Sequence, residues 1–224
     1  MTTRQTGFTL VEIAIVLIIV GLLMGGVMKG QELIDNAKVK NLVADFRNVP
    51  IYLYTYQDKF KALPGDDAGV DAHLGAKLCP SGCRATSADA VPGNGIIEGN
   101  WNSAAKGDES FRFWQHVRLA GLAAGPSDVN DADYLPHNAV GGQLGVTAGN
   151  YSPIGTLRGA YVLCSRGIAG KFAKQIDIAL DDGNTATGSI QAMANAAASA
   201  PAGIPAAGSD GIDNDLPYTV CMAF

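Results

Sequence analysis

Residues 8–28 read FTLVEIAIVLIIVGLLMGGVM, a run in which Glu12 is the only ionisable side chain. As a helix rising about 1.5 Å per residue, it reaches about 31 Å, which matches the hydrocarbon core of a bilayer. The stretch therefore predicts a membrane-spanning helix. A carboxylate this deep in such a span costs about 2.5 to 3.5 kcal/mol on insertion scales, so Glu12 demands a function and a named partner. Ahead of it, residues 1–7 form a polar leader with one charge, Arg4.

A secretory signal places its small-residue cleavage site after the apolar core. Here the order is reversed: Gly7 precedes the apolar run, so a cut after Gly7 leaves the hydrophobic helix on the mature chain. The run Gly7-Phe8-Thr9-Leu10-Val11-Glu12 resembles the type III signal of type IV pilins and type II secretion pseudopilins. That resemblance implies cleavage by prepilin peptidase between Gly7 and Phe8, N-methylation of Phe8, and a role for Phe8 and Glu12 in assembly. Cleavage would create a cationic amine on Phe8, one helical turn from Glu12, where a carboxylate also suits the positive helix end. In the family, the glutamate is held to pair with the terminal amine of a neighbouring subunit. A buried charge deprived of its partner costs about 3 to 5 kcal/mol, so such a pair would set helix register in a filament.

Gly21, Gly25, Gly26 and Gly30 punctuate the end of the span. Each costs about 1 kcal/mol relative to alanine inside a helix. They mark either a place where the helix loosens or a surface for close packing through the Gly21/Gly25 pair. From residue 29 the chain turns amphipathic: Val39, Leu42, Phe46, Val49, Leu53, Tyr56 and Phe60 recur at three- and four-residue spacing along one helix face. That stripe reads as packing surface for a body. Pro50 removes the hydrogen bond to the Phe46 carbonyl and predicts a bend. The turn cluster Leu63-Pro64-Gly65-Asp66-Asp67 predicts a helix end near Ala62. The expected organisation is thus leader 1–7, transmembrane and filament-core helix 8–28, amphipathic helix 29–62 and globular periplasmic or extracellular body 63–224.

The body is acidic. The formal charge is -5, and without Arg4 it becomes -6, with 15 Lys+Arg against 21 Asp+Glu. This balance lacks the basic stripe that a nucleic-acid footprint needs, so nucleic acid is not an expected partner. Cys79, Cys83, Cys164 and Cys221 form an even set behind an export segment and read as two disulfides. Four cysteines allow three pairings, of which 79 with 83 and 164 with 221 is the simplest. Zinc fits poorly, because CPSGC has three intervening residues and no histidine lies near any of the four in sequence. Residues 64–110, rich in Gly, Pro, Ser and Asp, suit pinned turns better than sheet. Within them Pro92-Gly93-Asn94-Gly95-Ile96-Ile97-Glu98 has the outline of a calcium loop but lacks the spaced carboxylates before Asn94, and reads as a turn. Asp66, Asp67, Asp71 and Asp89 are further oxygen donors that sequence does not place.

Residues 109–123 (ESFRFWQHVRLAGLA) predict a second amphipathic helix stopped at Gly125-Pro126, with His116 as a core or surface histidine. Strands are predicted at 159–164, at 172–180, where FAKQIDIAL alternates with period two before an Asp182-Gly183 turn, and more weakly at 187–192 and 218–222. Laid on the amphipathic helix, they make an α+β fold: a long N-terminal helix packed on a small antiparallel sheet with disulfide-pinned loops. This matches the architecture of type IV pilins. YQDKFKALPGDDA, FRFWQHVRLAGLAAG and ALDDGNTATGSI also resemble segments of larger pilin-like proteins. The low-complexity run 192–209 reads as an exposed loop, similar to the variable loop that pilins display between cysteines. Asp210, Asp213 and Asp215 resemble the acidic calcium loop of major pseudopilins, with a solvated turn as the simpler reading; calcium is the one candidate cofactor.

Among enzyme signatures, GxSxG, HExxH and the Walker loop are all absent from the sequence, and His73, His116 and His137 are far apart along it, so no catalytic residue is expected. The expected function is a structural subunit of a type IV pilus, major or minor. The alternatives are a type II secretion pseudopilin and a minor-pilin adhesin or ligand-binding module. The resemblance implies as partners further copies of the chain in a helical filament, other pilins, prepilin peptidase, an inner-membrane assembly platform, and the membrane before assembly. It implies residence in the bacterial inner membrane, then in a pilus at the cell surface or in the periplasm.

Overall fold

The computed structural model describes residues 10–75, 79, 82–194 and 212–224. Gly7, Phe8, Asp210 and most of the low-complexity run lie outside the described residues. The chain divides into two compact units, Met1–Lys40 and Asn41–Phe224.

Helix α1, Leu10–Phe60, belongs to both units. Its 51 residues match the long helix that the sequence predicts. It stays helical through Gly21, Gly25, Gly26 and Gly30 and through Pro50. It stops two residues before Ala62, because Lys61 takes a left-handed conformation (φ 55°) while its N–H bonds the Gln57 carbonyl. In the second unit, α1 buries Leu42, Val43, Phe46, Val49, Leu53 and Tyr56. Five of these belong to the predicted stripe; the burial of Val43 widens the face, as helices facing a core require.

The body holds a four-stranded antiparallel sheet in the order β1-β2-β4-β3, formed by β1 (Leu144–Ala148), β2 (Tyr161–Ala169), β3 (Ile190–Ala194) and β4 (Pro217–Ala223). Its two central strands carry Cys164 and Cys221 directly opposite one another, with Cα atoms 4.1 Å apart, the close spacing of a narrow antiparallel pair. Both cysteines are fully buried with Val162, Ile154 and Leu157. The register slips by one residue between Ser165 and Ile168, and Gly167, at φ 77°, accommodates the bulge. Tyr54 of α1 meets Phe224, just beyond β4, edge to face at 6.1 Å.

Three elements differ from the sequence expectation. Residues 172–180 are not a strand but most of helix α4, Gly170–Leu180. Its buried side chains, Phe172, Ala173, Ile176 and Asp177, follow helical spacing, and Ile178, which completed the two-residue alternation, is exposed. Strand β1 gave no clear signal in the sequence: all five of its residues are buried, so alternation is lost, and Gly145 weakens strand propensity. That glycine is required, since a Cβ there would stand 1.8 Å from the Trp101 carbonyl oxygen. Helix α3 is Glu109–Leu119 and ends well before Gly125-Pro126. Gly121 turns left-handed (φ 75°), its N–H bonding the Arg118 carbonyl and the Leu122 N–H that of Val117, which closes the helix. Short helix α2, Val70–Leu74, precedes the Cys79–Cys83 disulfide.

Candidate functional site

Residues 10–29 expose every side chain, although nearly all are apolar. Leu10 is 91% and Leu22 74% exposed, and Val20, Leu23, Met24, Val27 and Met28 line an open apolar groove of about 420 Å³. Monomeric soluble proteins rarely leave contiguous apolar patches of such extent in water. This is a surface for lipid or for other helices, and α1 is long and apolar enough to cross a membrane. Glu12 stands in its first turn, where a carboxylate complements the positive helix end. A Cβ built at Gly21, Gly25, Gly26 or Gly30 meets nothing within 4 Å, and Gly21 and Gly25, one turn apart, share a face at which another helix can approach closely.

Near the other end of α1, the body gathers polar groups that lie far apart in sequence. Asp67 is buried and accepts the Tyr56 hydroxyl at 2.7 Å, the Gly69 N–H at 2.8 Å and the His73 ring nitrogen Nδ1 at 2.7 Å. Phe60 stacks on His73, and Tyr56 on His116. His116 is fully buried: its Nδ1 accepts the Gly65 N–H at 2.9 Å, so Nε2 carries the proton that it donates to the Cys83 carbonyl, also at 2.9 Å. Burial pushes this imidazole down to about 4, and it stays neutral. These contacts tie the end of α1, α2, α3 and the small disulfide into one latch. Beside it a cleft of about 380 Å³ is lined in part by Phe60, Asp66, Asp67, His73 and Tyr161.

The turn Gly93-Asn94-Gly95 wraps its three backbone N–H groups around Asp66. Burial raises the Asp66 carboxyl while these donors pull it back. Asn94 and the Val91 N–H bind Glu98, and the Glu98 N–H bonds Glu109 Oε2 at 3.0 Å. Glu109, wholly buried beside the Glu98 carboxylate, is pushed by burial up to about 9 and is therefore a neutral acid at pH 7. Glu98, which burial would raise, is held below its ordinary value by bonds to Glu109, Asn94 and Val91. The turn thus organises itself around buried acids rather than around a row of its own carboxylates.

Of the residues named as a candidate calcium loop, Asp213 and Asp215 are exposed, and the Asp215 N–H bonds Asp213 Oδ1 at 2.9 Å as a local turn; Asp210 lies outside the described residues. A different acidic group, Asp177, Asp181 and Asp182, converges at the end of α4. The sequence reading puts Asp177 in a strand and Asp182 in the turn after it, which hides the helix end that brings the three together.

Residues 2–28 match the family model of the prokaryotic N-terminal methylation motif, the prepilin-type signal of type IV pilins and pseudopilins. The match covers 27 of the 224 residues, and in type IV pilins and pseudopilins this motif is the signal that prepilin peptidase processes. No curated protein and no solved structure matches the chain.

Proposed function

We propose that this chain is a structural subunit of a type IV pilus, major or minor. Residues 1–7 are its removable leader, 8–28 its membrane-stored filament core, 29–62 its amphipathic helix and 63–224 its displayed body. One observation carries the reading: an apolar helix segment exposed on every side is continuous with the methylation motif. Prepilin peptidase would cut between Gly7 and Phe8 and methylate Phe8. The bilayer covers the apolar segment first. Neighbouring helices replace lipid on assembly, when Glu12 pairs with the Phe8 amine of an adjacent subunit. That pair is the one charged contact in an apolar bundle, and it selects helix register. The test is incorporation of Glu12→Leu and Glu12→Ala in the native cell: both insert in the inner membrane, and neither enters filaments efficiently. Normal incorporation would refute the proposal. Surface filaments containing the chain mark a pilus subunit, whereas loss of protein secretion without surface filaments would mark a type II secretion pseudopilin instead.

A further inference from the structure

Asp177 lies in the last turn of α4, Asp181 caps the helix with its N–H on the Asp177 carbonyl at 2.7 Å, and Asp182 follows at once. One carboxylate oxygen from each lies within 4.8 Å of the others. A solvated acidic face is ordinary, and Asp182 is exposed. Asp177 is not part of such a face: it is fully buried, its Oδ1 accepts the Gly183 N–H at 2.6 Å, and its Oδ2 is shielded from solvent and meets no N–H or O–H donor among the described residues, while its carboxyl group lies within hydrogen-bonding reach of the Asp182 carboxylate. A buried carboxylate oxygen deprived of both water and donor is a state that proteins rarely leave uncompensated. The same loop buries a second oxygen without a partner, Thr185 Oγ1. Among the described residues no lysine or arginine forms an ion pair with the three aspartates.

We propose that Asp177, Asp181 and Asp182 form a divalent-cation site of the oxygen-only type that suits Ca²⁺, at the junction of α4 with the loop leading to β3. The loop already holds the other oxygens in place. The Asn184 N–H bonds Asp182 Oδ1 at 2.8 Å, Thr187 Oγ1 donates to Asp182 Oδ2 at 2.8 Å, and the Ile190 N–H bonds Asp181 Oδ2 at 2.9 Å. Gly188 permits this closeness: at φ 75°, a Cβ there would stand 2.0 Å from Asp181 Oδ2. Calcium accepts irregular sets of six to eight oxygens, so carboxylates on the protein side and water on the open Asp182 side suffice, whereas Mg²⁺ demands near-ideal octahedral geometry. A bound ion would supply the partner that Asp177 Oδ2 lacks and fix the α4–β3 connection.

The test is calorimetric titration of the full chain in detergent with CaCl₂ at neutral pH, with MgCl₂ in parallel, on wild type, Asp177→Asn, Asp182→Asn and the double variant Asp213→Asn/Asp215→Asn. Asp182 is exposed, so its variant keeps the fold whatever Asp177→Asn does. Wild type is expected to bind one Ca²⁺ with a Kd in the range of about 10⁻⁴ to 10⁻³ M, typical of extracellular modules, and Mg²⁺ more weakly. Asp182→Asn should weaken binding about tenfold or more, Asp177→Asn should abolish it, and the double variant should bind like wild type. Calcium should raise the wild-type melting temperature, and a chelator should reverse the rise. Absence of calcium binding by wild type at about 10 mM, well above that range, overturns the proposal; so does binding retained in both single variants, or lost only in the Asp213/Asp215 variant.

Discussion

The two ends of α1 are alike in conformation and opposite in chemistry. Residues 10–29 are apolar all round and exposed all round; residues 42–56 alternate and bury six side chains in the body. A helix hydrophobic on every side has no face to give to water, so its partner must come from outside the chain, as bilayer or as other helices. A helix with one apolar stripe is satisfied by a single packing surface within its own fold. The difference locates two separate jobs: fold stability belongs to the second segment and its latch, association to the first.

This division can be broken by mutation, and the largest effect is expected far from the apolar segment. Replacing Cys164 and Cys221 by serine removes a bridge across a sequence separation of 57 residues at the centre of the sheet, which should cost about 4 kcal/mol. Thermal unfolding should show a large drop for the body while the apolar segment remains helical in detergent by circular dichroism. His116→Ala comes next: it orphans the Gly65 N–H and the Cys83 carbonyl in a buried site, at a cost of about 3 kcal/mol in denaturant unfolding. Tyr56→Phe removes only the hydroxyl that donates to buried Asp67, and should cost about 1 to 2 kcal/mol. Leu17→Ala, in the exposed segment, should change body stability by less than about 0.5 kcal/mol yet reduce filament incorporation. Equal effects of Leu17→Ala and Tyr56→Phe on unfolding would erase the comparison.

Acid and base probe the latch and the buried acids beside it. Glu109 is raised to about 9 in the fold from 4.5, so between those values the folded chain holds a proton that the unfolded chain has lost, and this group makes stability fall as pH rises. His116 acts the other way: lowered to about 4 from 6.5, it makes stability fall as pH drops through that window. Glu109→Gln should therefore flatten the alkaline limb of a stability–pH profile measured by urea unfolding and, because Glu109 and His116 oppose one another between 4.5 and 6.5, steepen the acid limb. An unchanged alkaline limb would mean that Glu109 is already ionised in the fold.

Much of this was legible in the chain. The span, the stripe on α1 and the first part of β2 announce themselves through long periodic or continuous apolar runs, whereas β4 gives only a weaker signal around Cys221. The chain loses legibility where the run is short or the determinant is tertiary. In nine residues, FAKQIDIAL fits both a two-residue and a helical period, and only packing of Phe172, Ala173, Ile176 and Asp177 decides it. β1 is defined by what covers it on both faces. The latch joins Tyr56, Asp67, His73 and His116 across 60 residues of chain by hydrogen bonds and ring stacking that no local pattern encodes.

The central claim is that residues 8–28 leave their leader behind and become the core of a filament. Intact-mass and amino-terminal peptide analysis of sheared surface filaments tests it most directly. The account predicts a mature chain that begins at N-methylated Phe8. A chain in those filaments that still begins at Met1 would contradict it.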